Sequence, residues 1–147
     1  MNNIRRATAA DTGRIAEMEV FNYRQNFYPI FKSKWFYFVE LTVENLSKKY
    51  ENQLENLWVY EDVAVSGFVM VHNGEIRKLF VEPALQNNSI GAELLEYAVK
   101  HQGGRYLWAL EKNVGAIRFY KRHGFSLTGD KKFEEGTTEY LVKMEIK

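Results

Sequence analysis

The sequence predicts an α/β fold in which a mixed central β-sheet is flanked by helices, within a single domain spanning residues 1–147. Two observations predict the class. Runs of apolar alternation interleave along the chain with segments of helical periodicity. A helical stretch also separates two strand-like runs near the middle, and such a crossover makes those strands parallel, whereas the strands before and after it are joined by short turns. The length of 147 residues suits one hydrophobic core and is too short for two.

Residues 4–7, IRRA, read as a short opening strand, and Thr8 with Asp11 makes a capping box for a helix carrying Ile15, Met18 and Phe21. Residues 21–38 then hold nine aromatic residues, more than one helical stripe accommodates, and Ser33 is placed to cap a second helix running to about Lys49. Residues 57–61 and 63–72 read as paired strands, the second alternating Val63, Val65, Gly67, Val69 and Val71 against Ala64, Ser66, Phe68 and Met70. Asn73-Gly74 suits a hairpin turn into a strand over 75–81, which completes an antiparallel meander. A helix starts at Ser89 with Ile90, Leu94, Tyr97 and Ala98 along one side, and Gly103-Gly104 ends it. A strand over 105–111 follows, then a helix over 114–123 stopped by Gly124, then strands near 125–127 and 138–146.

Composition narrows the function. Hydrophobic residues are 46% and charged residues 27% of the chain with a net charge of +1, so neither disorder nor a polyanion-binding surface is expected, and no nucleic-acid partner. Cysteine is absent, which excludes disulfides, thiolate metal sites and a cysteine thioester intermediate. His72, His101 and His123 are scattered without metal-ligand spacing, so no metal is assigned. No apolar run reaches the roughly 20 residues that cross a bilayer. The opening residues lack the apolar core of a signal peptide, so the expectation is a soluble cytoplasmic chain with no membrane partner.

The stretch FVEPALQNNSIG, residues 80–91, leaves a strand near Pro83, crosses a polar loop and enters a helix. The first amides of a helix have no intrahelical acceptor and sit at the positive end of its dipole, so residues 87–92 suit an anion. Gly91 keeps a side chain out of the approach, and Asn87 and Asn88 tolerate positive φ. No Gly-Lys-Ser/Thr closes the loop and no G-x-G-x-x-G is present, so it is neither a Walker loop nor a dinucleotide fingerprint.

Residues 107–125, LWALEKNVGAIRFYKRHGF, supply the context. Asn113, Ala116, Phe119, Tyr120, Gly124 and Phe125 resemble the strand, Asn, A-x-x-F-Y and G-F pattern of the GNAT N-acetyltransferase family. Leu79, Val81, Pro83, Gln86, Ser89 and Gly91 are similar to that family's L-x-V-x-P and Q/R-x-x-G-x-G/A half, with Ser89 standing where the pattern has glycine. The resemblance is firm over residues 75–125 and extends to the opening IRRATAAD and the closing EEGTTEYLVKMEI. It implies a GNAT-like sheet with splayed parallel strands, 75–81 and 105–111, that admit the pantetheine arm of acetyl-CoA. It also implies backbone cofactor contacts at Leu79, Phe80 and Val81, and pyrophosphate contacts over Gln86, Asn87, Asn88, Ser89, Ile90, Gly91 and Ala92. Asn113 would fix the cofactor or the following helix start. Arg118, Lys121 and Arg122 are available to replace the basic loop residues usual in the family.

The resemblance further implies transfer of the acetyl group from acetyl-CoA to an amine. An alkylammonium near pKa 10.4 is mostly protonated at neutral pH, so a carboxylate, directly or through water, must take a proton. Glu75 stands six residues before Val81, where the histone acetyltransferase branch has its catalytic glutamate, and Glu111 is a second carboxylate near the splay. The oxyanion would meet a backbone amide at Phe80 or Val81 freed by a bulge. Tyr120 matches the family's usual proton donor to the thiolate. With no cysteine to carry the acetyl group, direct transfer in a ternary complex is expected. The acceptor, a small-molecule amine or a peptide or protein amine, would enter beside residues 21–38, with Glu40, Glu44 or Glu61 available to attract a cation. The alternative is a non-catalytic acyl-CoA-binding or sensing module on the same fold. A homodimer would have the N-terminal rings or the last strands to bury.

Overall fold

The computed structural model describes residues 3–86 and 89–147. Seven strands form one sheet in the order β1-β2-β3-β4-β5-β7-β6: β1 (Ile4–Arg6), β2 (Leu57–Asp62), β3 (Ala64–His72), β4 (Glu75–Val81), β5 (Tyr106–Leu110), β6 (Phe125–Phe133) and β7 (Tyr140–Ile146). All neighbours are antiparallel except β4 and β5, which are parallel and paired only at Glu75 with Tyr106. Beyond that pair the two strands separate. The helices are α1 (Thr12–Asn22), α2 (Tyr28–Phe31), α3 (Val43–Tyr50), α4 (Ile90–Gln102) and α5 (Val114–Arg122).

Alternation along the strands sends side chains to two cores, as a pleated sheet covered on both faces requires. Leu57, Val59, Phe68 and Met70 pack with Ile15 and Met18 of α1 and with Leu46 and Tyr50 of α3. Trp58, Val69, Val71 and Leu107 pack on the opposite face with Leu94 and Ala98 of α4. Within the β2–β3–β4 meander two bulges interrupt the alternation. Tyr60 faces Gly67 but Glu61 faces Val65, so Ser66 is an extra residue and Val65 turns to the α1 face, away from Val69. Met70 faces Lys78 but Val71 faces Ile76, which makes Arg77 the extra residue of β4.

Local chemistry accounts for the element ends. Thr8 donates its amide to Asp11 Oδ2 at 2.8 Å, and the Arg5 guanidinium meets both Asp11 oxygens at 2.8 and 3.0 Å, fixing the entry to α1. The buried stripe of α1 runs through Ile15, Met18, Glu19 and Asn22, the three-and-four spacing of one helical face. Phe21 falls beside that stripe and is 58% exposed, against the expectation that it joins Ile15 and Met18. The second helix expected up to Lys49 is broken: a helical stretch ends at Glu40, and α3 begins anew after Thr42, whose hydroxyl accepts from the Asn45 amide at 3.2 Å. Asn73 and Gly74 have φ of 50° and 83°, the left-handed pair that a two-residue hairpin turn demands. The strand expected near 125–127 continues to Phe133 across a bulge in which Gly129 takes φ of 94°.

Candidate active site

The separation of β4 from β5 is the feature around which the site is built. Glu82 donates its amide to the Ser66 carbonyl at 2.8 Å, and Val81 lies opposite Gly67. Antiparallel alternation therefore engages the backbone of Phe80 with β3 and turns the backbone groups of Leu79 and Val81 toward the gap. Of the two amides expected to face an oxyanion, the ladder takes that of Phe80 and leaves that of Val81. The bulge expected beside them lies at Arg77 instead, so divergence of the strands, not a bulge, frees the Val81 amide. The Val81 carbonyl accepts from Asn22 Nδ2 at 3.2 Å and Gln86 Nε2 at 3.4 Å.

Two cavities open on this gap. The larger, about 600 Å³, runs between the starts of α4 and α5 and is lined by Leu79, Phe80, Val81, Gln86 and residues 89–92, with Asn113 and Tyr120 across from them. Every expected cofactor residue among the described residues therefore faces one groove; Asn87 and Asn88 lie outside the described residues. The first intrahelical bond of α4 runs from the Glu93 amide to the Ser89 carbonyl at 3.0 Å, which leaves the amides of Ile90, Gly91 and Ala92 without helical acceptors. Ser89 has φ of 68°, the left-handed conformation that the family's glycine would adopt without a Cβ penalty. A Cβ built on Gly91 would lie 3.6 Å from Phe119 and Val81, an ordinary contact, so packing does not demand a glycine there. Arg122 and His123 line this groove, whereas Arg118 and Lys121 do not.

The second cavity, about 340 Å³, lies toward α1 and also touches Leu79, Phe80, Asn113 and Tyr120, so the two join through the gap. Asn113 caps α5 by accepting from the Ala116 amide at 3.2 Å. Tyr120 is partly buried beside Phe119 and Phe125, and burial pushes its phenol up to about 12. Glu75 lines the second cavity at the closed end of the splay, its carboxylate 3.3 Å from Arg77 Nε. Glu111 lines neither cavity and pairs with Lys131 at 2.6 Å. The acidic residues expected to attract an acceptor are also engaged elsewhere: Glu40 with Trp35 Nε1, Glu44 with Lys48 and Glu61 with Arg5.

Several residues join the site that sequence reasoning passed over. Asn22, buried on α1, holds the Val81 carbonyl and accepts from Gln86 Nε2 at 3.2 Å, and it lines both cavities. Its signal was a polar residue on the Ile15–Met18 stripe. Lys78 and Glu134 line the second cavity; the latter lies in the β6–β7 connection, where no motif marks it. Among the described residues no cluster of His, Asp or Glu suits a metal ion, and no helix is long and apolar enough to cross a membrane.

The sequence profile of the acetyltransferase (GNAT) domain matches residues 53–127. The chain belongs to the GNAT acetyltransferase family. The matched region runs from the approach to β2 through the first residues of β6 and so contains the whole splay and both sides of the larger groove. Among GNAT relatives, the peptidyl-lysine N-acetyltransferase YjaB of Salmonella typhimurium is 32% identical over 108 residues, covering 65% of this chain and 74% of that protein. The peptidyl-lysine N-acetyltransferase YiaC of Escherichia coli is 33% identical over 72 residues, 48% of this chain and 49% of that one. In fold the chain resembles the apo form of Escherichia coli YjaB, with a TM-score of 0.74 and 21% identity over 97% of this chain and 95% of that one. It also resembles the PaiA N-acetyltransferase of Thermoplasma acidophilum in complex with coenzyme A, with a TM-score of 0.68 and 18% identity over 97% of each chain. The GNAT-like mixed sheet with splayed parallel strands expected from the sequence is the fold observed.

Proposed function

We propose that this GNAT domain, spanning the whole chain, moves the acetyl group of acetyl-CoA directly to a primary amine, with a peptide lysine as the acceptor class that YjaB and YiaC suggest. The observation that carries the reading is the gap between β4 and β5, where a long groove and a second cavity meet at Tyr120. The groove's chemistry suits a diphosphate followed by an amide-bearing arm: unbonded helix-start amides at one end, open strand-edge groups of Leu79 and Val81 at the other. In this reading residues 86–92 hold the diphosphate with Arg122 beside them. Leu79 and Val81 bond the pantetheine amides, and Asn113 steadies the wall opposite.

The amine arrives from the α1 side. Glu75, acting through water, takes its proton, since an ammonium near 10.4 cannot attack. The neutral nitrogen bonds to the thioester carbon while the Val81 amide donates to the carbonyl oxygen as charge builds there. The C–S bond then breaks. A Tyr120 phenol near 12 lies above the roughly 8.5 of a thiol, so its hydroxyl serves chiefly as a hydrogen-bond donor to the developing thiolate. As the amide forms the nitrogen sheds a second proton; one of the two protons it loses ends on the sulfur and the other is released, so amide and free thiol leave with one proton released overall.

The test is thiol release from acetyl-CoA over a panel of lysine peptides and small amines, with Tyr120→Phe in parallel. Loss of about 10²-fold or more in kcat, with coenzyme A still bound, is the expected result. Calorimetric binding of coenzyme A with no thiol release on any amine would instead favour a non-catalytic acyl-CoA-binding module.

A further inference from the structure

Beside the acceptor cavity lies a third one, about 370 Å³, that the mechanism does not use. Its walls are the rings of Tyr23, Phe27, Phe31, Phe36 and Tyr37, closed by the connection carrying Glu134 and Glu135. It shares Tyr23, Phe27 and Glu134 with the cavity that holds Glu75, so the two lie side by side. The electrostatics of the two cavities differ. Glu75 and Glu134 share the acceptor cavity with Arg77, Lys78 and Lys132, but the charged residues lining the ring-walled cavity are both acids. Neither Glu134 nor Glu135 has an ion-pair partner among the described residues. Of the lysines around the β6–β7 connection, Lys131 lies 2.6 Å from Glu111, Lys112 is 2.8 Å from Glu139, and Lys132 stands over the Trp108 ring at 4.2 Å, while Lys32 and Lys34 flank Ser33 without lining the cavity. The Glu134 charge is felt within the cavity, since after burial itself it contributes to pushing the Tyr37 phenol up to about 12.

Ring faces carry negative potential and attract alkylated cations, and Glu134, half-buried at the cavity wall with the Glu135 amide donating to it at 3.1 Å, sets a carboxylate beside them. We infer that the ring-walled cavity holds a second cationic group of the acceptor, so that the protein selects a dication, such as a diamine or a lysine peptide with a neighbouring basic residue, over a single amine. The cavity would read the distal charge while the proximal amine reaches Glu75. The inference rests on the acetyl-transfer reading only for the identity of the occupant.

Two measurements separate these claims. Choline cannot accept an acetyl group on nitrogen, and 3,3-dimethylbutan-1-ol is its neutral isostere. Titrating each while following ring resonances of Phe31, Phe36 and Tyr37 tests the cavity without turnover. Choline is expected to bind saturably and about tenfold more tightly than the isostere, with the preference lost in Glu134→Gln/Glu135→Gln. In turnover, kcat/KM for 1,4-diaminobutane should exceed that for butylamine by about tenfold or more, and the ratio should fall toward unity in Glu135→Gln. Equal binding of choline and its isostere would overturn the cation pocket, and equal kcat/KM for the two amines would overturn its role in acceptor choice. Selective choline binding with no turnover of any amine would keep the pocket and overturn the acetyl-transfer reading instead.

Discussion

Lys78 reaches from β4 into the core and places its ammonium 2.9 and 3.1 Å from the two oxygens of Glu19 and 2.8 Å from the Tyr50 hydroxyl. Glu19 is 1% exposed and also accepts from the Tyr50 hydroxyl, so a buried carboxylate is met by one cation and one phenol. Removing one charge of such a set strands the other in a poorly solvating interior, and removing both still leaves the buried Tyr50 hydroxyl unmatched, so the site becomes apolar only with Tyr50→Phe as well. Lys78→Met should therefore lower unfolding free energy by about 3–5 kcal/mol in urea melts, and Lys78→Met with Glu19→Leu and Tyr50→Phe should recover most of that loss. A triple variant as unstable as the single would show that the network acts through packing alone. The same logic explains what the sequence let one read at this scale. Asn113, Gly91 and Tyr120 sit in a spaced pattern, so their convergence on one groove was legible; Glu19, Asn22, Lys78 and Glu134 belong to no pattern. Helical and strand periodicity marks the face on which a residue lies, and it is silent on which polar group crosses to meet it from an element far along the chain.

The entrance to α4 shows how an element combines a folding demand with a binding demand. Ser89 is held at φ of 68°, where a Cβ is strained, so Ser89→Gly should raise stability by about 0.5–1 kcal/mol in denaturant titration. Unchanged or reduced stability would mean that the serine side chain compensates for its conformation. Gly91 presents the converse case, since a methyl there meets only ordinary contacts and alanine is the better helix former by roughly 1 kcal/mol. Gly91→Ala should keep or raise the melting temperature while weakening coenzyme A binding by calorimetry; a variant that binds as well as the parent would remove the diphosphate from this helix start. Elements as such were largely legible. The Asn73-Gly74 turn, the strand over 75–81 and the crossover helix each had a local cause in the sequence and formed where that cause lay. What local pattern missed was interruption: the bulges at Ser66 and Arg77 are set by pairing with neighbouring strands, and the break at Thr42 lets two helical segments take different directions over one core.

Across the whole molecule, helices on both faces leave the sheet with few wet surfaces, and phenols caught between layers carry that history in their protonation. Burial pushes both Tyr120 and Tyr37 from an ordinary value of 10 up to about 12, with the Glu134 charge adding to the rise at Tyr37. The folded chain then keeps protons that the unfolded chain has already released once pH exceeds about 10. Stability rises with pH only where the unfolded state binds more protons, so here the sign is negative: the contribution is intact below about 10 and disappears as pH climbs through about 12. A displacement of this size corresponds to about 2–3 kcal/mol for each phenol. Unfolding free energy measured from pH 8 to pH 12 should hold nearly level at first and then decline steeply. Tyr120→Phe and Tyr37→Phe should each flatten that decline, because a phenylalanine has no proton to lose. The same retention keeps Tyr120 protonated wherever acetyl transfer is assayed, so an alkaline limb in kcat below pH 9 would have to come from a group other than this phenol. Tyr23 and Tyr50, also raised by burial, add to the decline in every variant, so the comparison is between slopes. A Tyr120→Phe variant that declines as steeply as the parent would show that this phenol titrates at its ordinary value, and the groove meeting at Tyr120 would then lack the dry wall that the proposed chemistry requires.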